Sequence, residues 1–226
     1  MELMYTGKTK NVYKLPDGMF LLKFKDDMTG KDGVFDPGSN QIGLTVKGAG
    51  QSGLRLTAFF FEKLKEKGIP THYIDSDPEA ATMTVKPAKP FGNGLEVICR
   101  YRAVGSFHRR YGDYIEEGAA LDAFVEVTLK DDQRQDPPIS EDALDMLGIL
   151  SKKDFSTLKA LTQEIASLVK ALLAAKGLDL YDIKFEFGKS DDRILLIDEI
   201  SGGNMRVFRE GKPVEPFELE NIMLSL

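Results

Sequence analysis

The sequence predicts an α+β fold, β-rich in its first part and mixed in its second. Three observations carry this. Short alternating apolar segments separated by turn residues dominate the chain before Pro87. A single long helical pattern spans residues 151–176. No regular alternation of strand and helix runs through the chain, which disfavours a doubly wound parallel sheet.

Residues 5–24 read as a hairpin, with Pro16-Asp17-Gly18 as the turn and residues 19–24 as the returning strand. Residues 26–53 carry seven glycines among polar residues. That backbone freedom predicts a mobile loop or lid, or a plain surface excursion. Ser52 is placed as the cap of a helix running through Lys67, with Leu54, Ala58, Phe61 and Leu64 on one face and Gly68 as its stop. Strands follow at residues 71–74 and 81–86. Pro87, Pro90, Gly92 and Gly94 then break the pattern, so a domain boundary is set there, with lobes at 1–86 and 87–226. Residues 95–103 and 123–129 read as strands, 130–138 as an exposed charged loop and 140–147 as a short helix. Ser151 and Asp154 open the long helix, whose Leu158, Leu161, Ile165, Leu168 and Leu172 share a face, and Gly177 ends it. Residues 182–188 read as a strand that turns over 188–192 and returns as 194–197, and a short helix is expected from Glu215 onward.

Asp and Glu outnumber Lys and Arg by 36 to 30, a net charge of −6. This argues against a non-specific nucleic-acid surface and leaves room for a local basic pocket. The one cysteine, Cys99, allows no intrachain disulfide and reads as inert strand filler. His72 and His108 lack metal-ligand spacing, so a histidine zinc site is not expected. Residues 1–13 show no basic leader followed by an apolar stretch, and no apolar run reaches the roughly 18 residues of a membrane helix. A cytoplasmic location is expected.

The strongest chemical signal is the strand Asp182-Ile183-Lys184-Phe185-Glu186-Phe187. A period of two puts Tyr181, Ile183, Phe185 and Phe187 on one face and Asp182, Lys184 and Glu186 on the other. The hairpin brings Asp198 close to Glu186, and two such carboxylates beside a lysine suit Mg²⁺ held against a polyphosphate. A solvated outer sheet face gives the same alternation. Thr6-Gly7-Lys8-Thr9-Lys10 can close over phosphates, although the Walker pattern is absent. Glu96, Ile98, Arg100 and Arg102 share a strand face, and Gly105-Ser106 opens a helical turn beyond them. Two arginines and a serine make a phosphate or carboxylate clamp, to which Arg109 and Arg110 add charge; a Glu96–arginine surface ladder is the alternative. Arg206 ends a flexible turn and can reach an anion, and Lys130 and Asp136 bracket a loop that can order over substrate.

Taken together, residues 7–13, 96–106, 130–137, 182–188 and 198–201 resemble the phosphoribosylaminoimidazole-succinocarboxamide synthase (SAICAR synthetase) family over nearly the whole chain. The resemblance implies a two-lobed fold related to ATP-grasp enzymes and protein kinases. It implies ATP-dependent joining of L-aspartate to carboxyaminoimidazole ribonucleotide, with ATP and Mg²⁺ as cofactors and a homo-oligomer, a homodimer first, as the assembly. By matching positions, Lys8, Thr9, Lys10 and Val12 would cover the nucleotide and Lys86 would lie at the adenine hinge. Glu186 and Asp198 would hold the metal. Arg100, Arg102, Ser106 and Arg206 would clamp the ribonucleotide. Glu96, Asp182 and Lys184 would line the same cleft, with Lys184 and Asp182 as catalytic residues and Asp182 the candidate general base. Lys130 and Asp136 would close over it. The segment Ser201-Gly202-Gly203-Asn204-Met205-Arg206-Val207-Phe208 departs from the family's Ser-Pro-Asp and Arg-Leu-Trp pattern. A related phosphotransferase and a non-catalytic nucleotide-binding relative are the competing readings. The absence of His-Arg-Asp and Asp-Phe-Gly motifs disfavours a protein kinase.

Overall fold

The computed structural model describes residues 1–39 and 41–225; Asn40, inside the glycine-rich segment, and Leu226 lie outside the described residues. Strands β1 (Glu2–Thr6), β2 (Lys10–Lys14) and β3 (Phe20–Phe24) form an antiparallel meander. Its second turn carries Gly18 at φ +87°, a conformation that glycine adopts without a Cβ penalty. The expected hairpin is therefore present, with β1 as an added outer strand.

The glycine-rich stretch is not one open loop. Residues within it form β4 (Asp27–Lys31), β5 (Val34–Phe35) and β6 (Ile42–Thr45), a small antiparallel sheet. A Cβ on Gly43 would lie 2.6 Å from the Cα of Gly30, so these glycines let two backbones approach. Helix α1 (Ala49–Glu66) starts earlier than Ser52. Its first turn is capped from outside, by Asp26 Oδ1 accepting the Gly50 amide at 3.0 Å. Gly68, at φ +71°, stops it as expected.

Strands β7 (Tyr73–Asp77) and β8 (Thr82–Val85) complete a five-stranded sheet in the order β1-β2-β3-β8-β7. The short β9 (Lys89–Pro90) already belongs to a second sheet. There follow β10 (Leu95–Arg102), α2 (Gly105–Tyr111), β11 (Ala120–Leu129), α3 (Glu141–Met146) and α4 (Lys152–Ala174). Ser140 and Ser151 cap α3 and α4 through the amides of Ala143 and Asp154. Next come β12 (Asp179–Ser190), β13 (Arg193–Ile197), β14 (Met205–Arg209), β15 (Lys212–Pro213) and α5 (Pro216–Leu224). The β12–β13 turn falls at Asp191-Asp192, and Gly188 lies inside β12 opposite Leu195 rather than in the turn.

The second sheet runs β11-β10-β12-β14-β15, with β9 and β13 also paired to β12. One face packs on α4: Leu158, Ile165, Val169 and Leu173 join Val97, Cys99, Ile183, Phe185 and Phe187 in one buried core. Burial of that many apolar side chains is the main force holding the sheet and helix together. The sheet's other face carries the charged residues. Among the described residues no helix is long and apolar enough to cross a membrane.

Candidate functional site

Register builds the floor of the site. Glu96 pairs across the sheet with Thr128 and Glu186, Ile98 with Glu126 and Lys184, and Arg100 with Phe124 and Asp182. Arg206 extends the last row from β14. Directly opposed residues share a face, so this is one charged surface three strands wide. The aromatic side of β12 turns to the core, which leaves Asp182, Lys184 and Glu186 facing the cleft.

A cleft opens between this floor and the first sheet. Lys8, Thr9, Lys10 and Val12 line it from one side; Glu96, Lys130, Lys184, Glu186 and Asp198 line it from the other. It widens past Glu96 and Lys184 into a region lined by Arg100, Ser106, Arg109, Arg110, Asp136, Asp182 and Arg206. Two expected members do not reach it. The pairing of β10 with β11 shifts between Arg100 and Arg102, the extra residues lying on β11 where Ala123 has φ +46°, and Arg102, at the end of β10, falls outside the cleft lining. Arg102 is exposed and instead approaches the Gly118 carbonyl at 3.4 Å and the Tyr181 ring. Lys86 is exposed, and its amide donates to the His72 carbonyl.

At the narrow end lysines and carboxylates are matched. Lys10 is buried, its ammonium 3.1 Å from Asp198 Oδ1 and also on Glu199 Oε1. Burial alone would lower its pKa, but Asp198 and Glu199 outweigh this and raise it. Lys130 Nζ lies 2.5 Å from Glu186 Oε1 and is likewise raised, burial being outweighed by Glu186 and Asp198. Lys184 is 2.6 Å from Glu96 Oε1. Burial and the nearby Asp198 charge push the Glu186 carboxyl up. Asp198 also feels burial, yet Lys10 and Lys130 hold it down. Asp198 sits at φ +69°, which strains a residue with a Cβ, and its carbonyl lies 3.3 Å from His72 Nε2. Lys8 reaches across the cleft to Asp132 Oδ1 at 2.6 Å.

At the wide end, Arg100 is buried and each of its guanidinium nitrogens is paired. Nη1 donates to Asp182 Oδ2 at 2.8 Å, Nη2 to Ser106 Oγ at 2.9 Å, and Nε and Nη2 to Glu126 Oε2 at 3.1 and 2.9 Å. Arg206 Nη1 donates to the same Asp182 oxygen at 2.9 Å and Nη2 to Asp36 Oδ1 at 3.0 Å. Gly105 and Gly38 flank that guanidinium so closely that a Cβ on them would lie 2.8 and 2.6 Å from it. Asp136 accepts the Asp131 amide at 2.6 Å, and burial pushes its carboxyl up.

Sequence reasoning missed Glu126, Asp36, Glu199 and His72. Glu126 was legible in principle: in Phe124-Val125-Glu126-Val127-Thr128-Leu129 the alternation sets it on the polar face. Asp36 and His72 come from segments whose placement no local pattern reveals. Among the described residues no group of three or more His, Cys, Asp or Glu side chains is arranged to hold a metal ion. Two carboxylates, Glu186 and Asp198, do line one cavity. That donor set fits Mg²⁺, which takes one or two protein carboxylates and completes its shell with phosphate and water.

Comparison with known proteins gives a consistent result. The family profile described as SAICAR synthetase matches residues 3–218. The phosphoribosylaminoimidazole-succinocarboxamide synthase of Clostridium tetani is 65% identical over 227 residues, covering 100% of both chains. A solved structure described as type-2 SAICAR synthetase in complex with ADP superposes with a TM-score of 0.82 at 30% identity, covering 93% of this chain and 87% of that one. The crystal structure of the same synthase from Ehrlichia chaffeensis gives 0.83 at 26% identity, covering 95% and 89%.

Proposed function

The chain belongs to the SAICAR synthetase family, and from that premise we propose how its cleft carries out the reaction. The enzyme is an ATP-dependent carbon–nitrogen ligase of purine biosynthesis. It joins L-aspartate to the carboxylate of carboxyaminoimidazole ribonucleotide, giving SAICAR, ADP and phosphate. One observation carries the residue assignment: a single cleft has lysines facing paired carboxylates at one end and arginines with a serine at the other.

Lys8, Thr9, Lys10 and Val12 cover the nucleotide. Support comes from their place opposite Glu186 and Asp198 and from the neighbouring SAICAR synthetase structure that holds ADP. Glu186 and Asp198 would hold Mg²⁺, which there supplies neutralisation of phosphate charge. Lys10 and Lys130 keep their protons in this setting, so both bring permanent positive charge to the moving phosphoryl group. The wide end takes the ribonucleotide: Arg100, Ser106 and Arg206 face its anionic groups, and Lys130 and Asp136 border the opening. Glu96 and Lys184 line the passage between the two ends.

The substrate carboxylate is a poor electrophile. Its oxygen attacks the γ-phosphorus, ADP leaves, and an acyl phosphate forms. The amine of aspartate then attacks the acyl carbon, phosphate leaves, and the amine gives up a proton. Lys184, charged and paired with Glu96, acts electrostatically. Asp182 accepts hydrogen bonds from two arginines, so we assign it to holding them rather than to taking the proton.

We place the lobes at 1–86 and 87–226, in an arrangement related to ATP-grasp enzymes and protein kinases. In support, the first sheet ends with β8 at Val85 and the second begins with β9 at Lys89. We propose a cytoplasmic homodimer; β1, exposed along its length at one end of its sheet, offers a free edge.

The test is phosphate release from ATP and Mg²⁺ with the ribonucleotide, with and without L-aspartate, while the product is followed by mass. Phosphate and succinocarboxamide that both require aspartate are expected. Phosphate without that product would reassign the acceptor, and silence throughout would favour a binding-only relative.

A further inference from the structure

Glu126 is a buried carboxylate that none of the steps above uses. It projects from β11 onto the cleft floor, opposite Ile98. Both its oxygens are taken: Oε2 accepts from Nε and Nη2 of Arg100, and Oε1 accepts from Arg110. The two arginines come from different elements, β10 and α2. Arg100 in turn holds Ser106, the second residue of α2. Glu126 therefore ties strand and helix together at the point where the anion-facing groups meet.

The pairs continue as a chain of alternating charge: Arg110, Glu126, Arg100, Asp182, Arg206, Asp36. Stability alone does not explain such an arrangement. Charges removed from water lose hydration, and well-packed apolar residues of similar volume commonly serve a fold as well or better. What a carboxylate supplies and an apolar side chain cannot is a fixed orientation of a guanidinium plane. Arginine carries its donors in a rigid fork, so the partner on one edge decides where the other edges point. In Arg100, Glu126 takes the Nε edge and Asp182 takes Nη1, and the position of Nη2 beside Ser106 follows.

We propose that Glu126 is a positioning residue for the ribonucleotide's anionic group, acting through Arg100, Arg110 and Ser106. The inference rests on the ribonucleotide reading given above. A purely structural Glu126 would lower the amount of folded enzyme, and with it the maximal rate, and leave every KM in place. A positioning Glu126 acts on one substrate.

The test is steady-state kinetics of Glu126→Gln, Glu126→Asp and Arg206→Gln beside the wild type, varying each substrate in turn, with thermal melts of every variant. Glu126→Gln is expected to raise the KM for the ribonucleotide about tenfold or more, the range of a lost hydrogen bond to a charged group, and to leave the KM for ATP and aspartate within about twofold. Glu126→Asp keeps the charge and is expected to recover part of the loss. An unchanged or lowered ribonucleotide KM in Glu126→Gln overturns the proposal, as does an equal change for all three substrates. If Glu126→Gln does not fold, the same comparison rests on Glu126→Asp and on Arg110→Gln, each expected to show the selective effect in weaker form. Arg206→Gln separates the two levels. If it moves the ribonucleotide KM and the Glu126 variants do not, the positioning role alone falls. If it does not, the ribonucleotide reading falls first.

Discussion

Removing the titration of His72 should flatten the stability of this protein between about pH 7 and about pH 5. His72 joins the two sheets: its amide donates to the Leu196 carbonyl and its own carbonyl accepts from Lys86. Its ring lies edge-on to Phe61 and within 3.3 Å of the Asp198 carbonyl. Burial lowers its pKa from 6.5 to about 4; Asp198 opposes the shift and Lys10 adds to it. The folded pKa is thus below the unfolded one. Between those values the unfolded chain binds a proton that the folded chain refuses, so stability falls as the pH falls.

The size follows from the shift. At about pH 5 the unfolded histidine is almost fully protonated and the folded one almost fully neutral, so the loss relative to neutral pH is about 2 kcal/mol. The assay is urea unfolding of wild type and His72→Gln at the two pH values, in chelator, with the difference of differences as the readout. His72→Gln is expected to lose about 2 kcal/mol less than wild type on acidification, since the carboxylate contributions common to both cancel. Equal losses in the two proteins would refute the reasoning. So would an imidazole proton resonance that titrates near its ordinary value in the folded state.

Other outcomes follow from the same geometry. Glu186→Gln and Asp198→Asn should each cut turnover about a hundredfold or more while the far-UV spectrum and melt stay native-like, and near-normal activity in both would remove them from the metal site. Gly105→Ala should cost about 1–2 kcal/mol, because Gly105 has φ +58° and a Cβ would lie 2.8 Å from Arg206 Nη1; its melt should drop and its ribonucleotide KM should rise. Leu158→Ala, in the core between α4 and the second sheet, should cost about 3 kcal/mol in urea unfolding and leave every KM in place.

The fold was readable in the sequence wherever a regular period met a strong local stop. The long helix announced itself through Ser151, its apolar stripe and Gly177. Two strands of the site floor, β10 and β12, show a period of two in the sequence. The segment 26–53 was misjudged because glycine carries two meanings. Freedom of the backbone and close approach of two backbones look alike in a sequence, and only the pairing of β4 with β6 decides for the second. The start of α1 was misjudged for a related reason. Ser52 is a good local cap, but Asp26 does that work from outside the helix, and a cap supplied at long range leaves no local signal.

The same distinction governs the site. Asp182, Lys184 and Glu186 were found because one strand presents all three, and period alone fixes their common face. Arg102 follows the period of Arg100, but period does not tell where a strand runs out of the cleft, and Arg102 stands exposed at the end of β10, outside the lining. The partners that set the chemistry come from other elements. Asp36 reaches Arg206 from the small sheet's edge, Glu126 reaches Arg100 across β11, and Glu199 shares Lys10 with Asp198. An isolated strand therefore tells which charges enter the cleft but not which of them are already neutralised. Here most are. Arg100 has no donor nitrogen left unpaired, whereas Arg206 is held on its outer edge by Asp36, whose side chain is 45% exposed. Of the carboxylates on the two arginines, Asp36 is the one an incoming anion can displace with least loss of buried structure. Asp36→Asn should therefore lower the KM for the ribonucleotide and raise the affinity for inorganic phosphate as a competitor, and an unchanged or weakened response to both would show that Arg206 meets its substrate without giving up Asp36.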